Sequence, residues 1–266
     1  MADSSKILSY LNLSDDYERK ARFMPALLAI CAFLPAALAL SIPLLGWLTA
    51  LITGAGVASI ACVGISHLAS AMGNRFQLKL YPEWPYDSPT NLRLSPFDSS
   101  SSKEQKHRWY SEIKAITGLN VQDAPLADRK ELERLINDAV TAIRTALWKH
   151  PNADRIHTHN AEYGFARNFA GLAPIWLTLS ALSTGICWIA FGFLQGDIAW
   201  AIASSVITVG LLLLYRFILD DYVATKAEHY ADSFFDALNL LNASDSTSTT
   251  GDSSDTPPAQ ELARME

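Results

Sequence analysis

The chain has 266 residues with 21 basic and 27 acidic side chains, a net charge of −6, and half of its residues hydrophobic. A mean hydropathy of +0.12 with only 18% charged residues excludes an ordinary soluble enzyme. The charge is segregated: no Asp, Glu, Lys or Arg occurs over 23–73, 168–196 or 198–215. A bilayer-spanning helix needs about 20 apolar residues, so these runs predict membrane crossings.

Residues 1–22 balance four acids against four bases and predict an amphipathic cytoplasmic helix over 3–22, with Ile7, Leu8 and Leu11 on one face and a second start at Ser14-Asp15-Asp16. The first apolar run follows this polar stretch and is far longer than the apolar region of a signal peptide, so no cleaved leader is expected. The run over 23–72 is too long for one crossing and predicts a hairpin, with helices at about 24–42 and 48–71 turning at Ser41 to Trp47, where Pro43 and Gly46 break the helix. Within its second helix Ala55, Ser59, Cys62, Ser66, Ala69 and Gly73 repeat at 4-3-4-3-4 spacing. A small-residue face serves close helix packing or lines a polar path, and both remain open for Ser59, Cys62 and Ser66. His67 is the one titratable imidazole of this run and a candidate for function on that ground.

Residues 73–168 hold 14 basic and 12 acidic side chains, the composition of a soluble domain inserted between hairpins. The stretch Tyr81 to Pro96 is rich in Pro, Ser and aromatics and predicts an ordered loop. Helices follow from Ser102 to about Thr117 and from Pro125 to Lys149, the latter with Leu132, Leu135, Ala139, Ile143 and Leu147 in step. Two clusters here are candidate ligand-binding residues. Lys103, Lys106 and Arg108 beside Trp109 combine cations with an aromatic ring, as a nucleotide site or as a solvated helix start. In the block Asn160 to Asn168, Tyr163 and Arg167 share a helix face at i, i+4. Arg167 could bind phosphate bidentately with Tyr163 as a stacking ring, or anchor the membrane interface by pairing with Glu162 or another carboxylate; Asn168 and Glu162 complete the block.

The second hairpin, 169–219, has crossings at about 170–192 and 198–218 and a turn at Leu194-Gln195-Gly196-Asp197, with Trp188 and Trp200 near it. All basic residues avoid both hairpin tips, which places the termini and the central domain on the cytoplasmic side. Over 220–242 a helix continues, with Val223, Ala227, Tyr230, Phe234, Ala237 and Leu241 forming a seam for a coiled coil or for packing on the central domain. The tail over 243–266 is polar, acidic and expected to be disordered. The fold expected is therefore all-α: a polytopic membrane protein with four transmembrane helices in two hairpins, a mainly helical cytoplasmic insert and a helical C-terminal extension.

No catalytic centre is expected, because the chain has no Gly-rich phosphate loop, no GxSxG elbow and no paired-carboxylate motif. His157 and His159, near Asp154 and Glu162, lack a second ligand group, and Cys31, Cys62 and Cys187 lack metal spacing, so neither a metal nor a cofactor is expected.

Trp84, Pro89-Thr90, Lys103-Glu104, Arg108-Trp109-Tyr110, Ala127-Asp128 and the NAEYGFARN block running into Gly171-Leu172 resemble a group of bacterial four-helix membrane proteins. That group shares a cytosolic N-x-x-YGF-x-RN block before the third crossing, and some of its members neighbour anti-phage defence genes. The chain also resembles the membrane effectors of two-gene defence systems of the Hailong channel type. This resemblance implies a homo-oligomeric inner-membrane ion channel whose cytoplasmic domain senses a nucleotide or oligonucleotide made by a nucleotidyltransferase encoded nearby. Where the block commonly reads YGFRRN, this chain has Ala166-Arg167 and keeps one of the two cations. The alternative is a non-conducting membrane anchor that displays the cytoplasmic domain to a partner.

Overall fold

The computed structural model describes residues 16–40, 55–124, 128–148 and 154–248, leaving out the side chains of 55–63, 65 and 240–248. All regular structure among the described residues is helical. A π-helical turn, Glu18–Phe23, leads into α1 (Met24–Cys31) and α2 (Leu34–Ala39). Then come α3 (Ala55–Leu80), α4 (Pro89–Leu94), α5 (Lys103–Thr117) and α6 (Arg129–Trp148). The chain closes with α7 (Asp154–Gly171), α8 (Ala173–Leu194), α9 (Ile198–Phe217) and α10 (Leu219–Ser248).

Helix ends follow side-chain chemistry. Ser88, Ser102 and Asp197 each accept a backbone N–H of the first turn of α4, α5 and α9, and Gly118 closes α5 at φ 75°. Between α8 and α9 the chain reverses through Gln195, at φ 54°, and Gly196, as the sequence predicts.

The helices α8 and α9 have 22 and 20 residues with hydropathies of 1.7 and 2.1, long and apolar enough to cross a membrane. Only 22% and 11% of their most apolar stretches are buried by the rest of the chain. A core helix of a soluble protein would be covered, whereas here Leu182, Ile189, Ile202, Val206, Val209 and Leu212 are all more than half exposed. Between the two helices lies a strip of hydroxyls: Thr208 Oγ1 meets Ser180 Oγ at 2.6 Å and Thr184 Oγ1 at 2.8 Å, and Trp188 Nε1 donates to Ser205 Oγ at 3.1 Å.

The region of the first expected hairpin departs from expectation. In place of one helix over 24–42, the chain breaks at Ala32 and Phe33, whose N–H groups bond back three residues to Ala29 and Ile30. Pro35 has no N–H to give the Cys31 carbonyl, so the helix cannot run through it. Beyond the break α2 docks on α8, where Ala36 N donates to Ser183 Oγ at 3.0 Å. The second helix runs well past 71, to Leu80, so the boundary expected at 73 falls inside α3. The turn expected at 41–47 and the helix expected over 3–15 lie outside the described residues. Of the four crossings expected, two meet the length and apolarity test among the described residues.

Two cores organise the rest. The domain core joins α4, α5, α6 and α10 through Leu94, Trp109, Ile113, Ile136, Ile143, Phe234 and Leu238, with Trp109 stacked on Phe235 at 4.0 Å. The second, at the foot of the apolar helices, joins α1, α3, α7, α8 and α10 through Ala29, Ala69, Tyr163, Ala166, Trp176, Leu219 and Val223. The 220–242 seam thus packs within the chain: Val223 and Ala227 enter the second core, Phe234 and Ala237 the domain core with Tyr230 against it, and the side chain of Leu241 lies outside the described residues. The helix also continues to Ser248, beyond the point where the sequence predicts disorder. No Gly or Pro intervenes before Gly251, and adding a residue to an existing helix is easier than starting one.

Charged pairs fasten α10 to three helices. Lys79 meets Asp220 at 3.1 Å, Glu162 meets Lys226 at 2.8 Å, Arg155 meets Asp236 at 2.9 Å, and Arg93 holds both Glu228 and Asp232 at 2.6 Å. Of these cations Arg93 is 20% exposed and holds two carboxylates, whereas Lys79 is 59% exposed and holds one. Arg93→Ala is expected to cost about 1 kcal/mol and Lys79→Ala to change little. Unfolding midpoints of the two variants in detergent check this, and equal shifts would count against the difference.

Candidate functional site

Above the second core, a cavity of about 400 Å³ opens between α4, α6, α7, α10 and the loop before α4. Its lining includes Trp84, Ser88, Thr90 and Asn91 from the loop and α4, and Asn137, Thr141 and Arg144 from α6. Asn160, Tyr163 and Arg167 come from α7, Ala227 and Tyr230 from α10, and Tyr17 from the N-terminal segment. Among the described residues the lining holds two arginines and no carboxylate. Helical spacing explains the convergence: 137, 141 and 144 flank the buried stripe of α6, and 160, 163 and 167 form one face of α7.

Arg167 combines a cavity position with a grip on α3. Its Nη1 donates to Gln77 Oε1 at 2.7 Å and its Nε to Asn168 Oδ1 at 3.3 Å, while its guanidinium lies 5.9 Å from the Tyr163 ring centre. Among the described residues it therefore pairs with buried Gln77, and not with Glu162 or another carboxylate, the partners of the interface-anchor expectation. Tyr163 is 7% exposed, and its hydroxyl has no hydrogen-bond partner among the described residues. Burial pushes that phenol well above its ordinary pKa against the pull of Arg167, so it stays neutral and able to donate or accept. Burial likewise raises the Tyr230 phenol, and the Arg144 guanidinium, hydrogen-bonded to it, works in the opposite direction. Asn91 Nδ2 reaches Asn137 Oδ1 at 3.5 Å.

The rest of the 160–168 block builds the frame. Asn168 is fully buried and its Nδ2 donates to the Ala21 carbonyl at 2.6 Å. Gly164 faces Ala21 Cβ so closely that an added Cβ would lie 2.8 Å from it. At Gly171 an added Cβ would lie 2.4 Å from the backbone of Met72 and Gly73, and at Gly73 it would lie 2.0 Å from Asn168 Oδ1. These glycines let α3 and α7 touch backbone to backbone. Glu162 points elsewhere, to Lys226 at 2.8 Å and His159 Nδ1 at 3.4 Å, and the Lys226 hydrogen bond holds its carboxyl below the ordinary range.

The α5 cluster is not brought to this site. Lys106 is buried and donates to the Ser95 carbonyl at 2.5 Å, to the Asp98 carbonyl and to Asp98 Oδ2 at 3.2 Å, pinning the turn before α5. Trp109 belongs to the domain core, and Lys103 and Arg108 are exposed. None of the four lines the cavity. In α3, Ala69 and Gly73 serve helix packing, Ser66 is half-buried and His67 exposed; the side chains of Ser59 and Cys62 lie outside the described residues. His157 meets the Trp148 ring edge-on at 4.2 Å.

Sequence reasoning missed Arg144, Asn137 and the parts played by Trp84 and by Asn160, which it held only as a member of the block. The available signal was the polar line 137, 141, 144 beside the apolar stripe of α6, which a solvated helix flank produces equally well. Comparison of the chain with protein-family models, curated proteins and solved structures finds no match.

Proposed function

We propose that this protein is a multi-pass membrane effector of the bacterial inner membrane. Its cytoplasmic domain binds a nucleotide or oligonucleotide signal in the Arg144–Arg167 cavity and so controls an oligomeric ion-conducting pore in anti-phage defence. One observation carries this reading. Tyr17 lies just ahead of α1, α7 runs into α8, and α10 continues from α9, so three segments leading into apolar helices line one cavity. A ligand held there touches all three and can bias their arrangement, provided that it binds one arrangement better than another.

The topology has four crossings in two hairpins with both termini cytoplasmic, supported by the uncharged runs and by the confinement of basic residues away from the hairpin tips. Four helices per protomer are too few to enclose a polar pore, so conduction takes a symmetric oligomer. The extensive uncovered apolar surface of α8 and α9 suits lipid and neighbouring protomers alike. The defence role and a nucleotidyltransferase partner rest on the resemblance of the NAEYGFARN block and its surroundings to that class of effector. The chemistry of the cavity, cationic with aromatic and carboxamide walls, agrees with such a signal.

Full-length protein reconstituted into dye-loaded vesicles tests the conduction. A pool of nucleoside monophosphates and short oligonucleotides is expected to change ion flux several-fold relative to the untreated protein. No flux in any ligand state would remove the channel and leave the anchoring reading, in which the domain serves to display a binding surface.

A further inference from the structure

The cavity's charge count narrows what it can hold. Among the described residues the lining holds two guanidiniums, those of exposed Arg144 and part-buried Arg167, and no carboxylate, so an anionic group entering it meets cations and no like charge. A guanidinium has five N–H donors; Arg167 uses two, on Gln77 and Asn168. Tyr163 adds a hydroxyl buried to 7% without a partner among the described residues, a group that costs stability until something bonds to it. At the edge, Trp84 leaves 38% of its surface exposed and offers a ring, and the carboxamides of Asn137 and Asn160 supply paired donors and acceptors.

A phosphate monoester carries about two negative charges near neutral pH, matching two arginines, whereas a phosphodiester inside a chain carries one. The volume of about 400 Å³ is that of a small-molecule site and too small for several nucleotides.

We propose that the cavity binds one nucleotide unit through a terminal phosphate monoester, held by Arg144 and Arg167, with Tyr163 hydrogen-bonded to the ligand and the base against Trp84. This rests on the nucleotide reading above and adds a rule: a longer signal is recognised at one phosphorylated end.

Full-length protein in detergent is titrated with the four ribonucleoside 5′-monophosphates, the matching nucleosides, inorganic phosphate, and a trinucleotide with and without its 5′-phosphate. Tryptophan fluorescence and calorimetry provide the readout. At least one monophosphate should bind more tightly than its nucleoside and than phosphate alone, and the 5′-phosphorylated trinucleotide more tightly than the unphosphorylated one. Arg144→Ala should weaken monophosphate binding roughly ten- to a hundredfold. Tyr163→Phe should weaken it severalfold while leaving the unfolding midpoint unchanged or higher, a combination that a purely structural hydroxyl would not give.

Monophosphate affinity unchanged in both variants would overturn the proposal. So would binding of inorganic phosphate equal to that of the nucleotides, and so would the trinucleotide binding with no dependence on its terminal phosphate. In that last case the nucleotide reading survives and the end-recognition rule falls. Binding of none of the probes overturns both.

Discussion

Gly171→Ala is expected to deprive the protein of its folded, monodisperse state in detergent. The new methyl carbon would sit 2.4 Å from the backbone nitrogen of Gly73 and the carbonyl carbon of Met72. No side chain can rotate away from such a contact, so α3 and α7 must separate, and the buried residues between them, Ala69, Ala166 and Ala170, lose their packing. Overpacking a well-filled helix contact costs about 3 kcal/mol. Gly192→Ala is the control, because an added Cβ there meets nothing within 4 Å. Size-exclusion profiles and thermal unfolding of the two variants should differ sharply. A wild-type profile for Gly171→Ala would mean that α3 and α7 do not cross as described.

The second large effect is a coupling. Gly73→Ala drives a methyl group into Asn168 Oδ1, and Asn168→Ala removes the carboxamide that holds the Ala21 carbonyl. Each should cost roughly 2–4 kcal/mol, the first by overlap and the second by a buried carbonyl left without its donor and a void. In the double variant the space vacated by the Asn168 side chain accepts most of the Gly73 methyl, although the Asn168 Cα, 3.0 Å away, still resists. The double variant should therefore be more stable than the sum of the singles by about 1 kcal/mol or more. Strict additivity, measured by the same unfolding midpoints, would deny that the two residues share one contact.

These two predictions concern residues that the sequence presents ambiguously. A glycine at 73 after a long apolar run reads as a helix end and a domain boundary; its partner across the contact, Gly171, is 98 residues away, and nothing local announces a meeting of backbones. Asn168 reads equally well as a ligand-binding carboxamide or as a structural one. The apolar runs, by contrast, are local patterns, and helices α8 and α9 lie close to where charge-free stretches and the Gly196-Asp197 turn place them. The helix expected from Ser102 to about Thr117 is α5, with Ser102 as its N-cap. The break at Phe33 is local as well, since Pro35 dictates it, but the uniformly apolar run around it carries no other mark of an interrupted helix.

The candidate site was half legible. Tyr163 and Arg167 do share a face, at the i, i+4 spacing that places them there, and both line the cavity. Their partners come from segments remote in sequence, Trp84, Asn137 and Arg144, whose convergence depends on how α6 and α7 pack. The α5 cluster shows the opposite failure. Lys106 and Trp109 carry the composition of a nucleotide site, yet burial assigns one to a turn and the other to the core. Composition without the third dimension cannot separate a cation that waits for a ligand from one already satisfied.

Arg167 connects site and frame. Because it holds Gln77 on α3 while lining the cavity, an anion bound at its remaining N–H donors would pull on the same guanidinium that ties α7 to α3. Ligand binding and helix arrangement would then be linked through one guanidinium, and the coupling must be reciprocal.

The central claim is that occupancy of this cavity controls the membrane helices, and single-channel recording of the reconstituted full-length protein tests it most directly. Adding the tightest-binding nucleotide to the side that carries the cavity should shift open probability at least tenfold, and Arg144→Ala should demand a roughly ten- to hundredfold higher concentration for the same shift. An open probability that ignores the nucleotide while binding to the cavity persists would contradict the account.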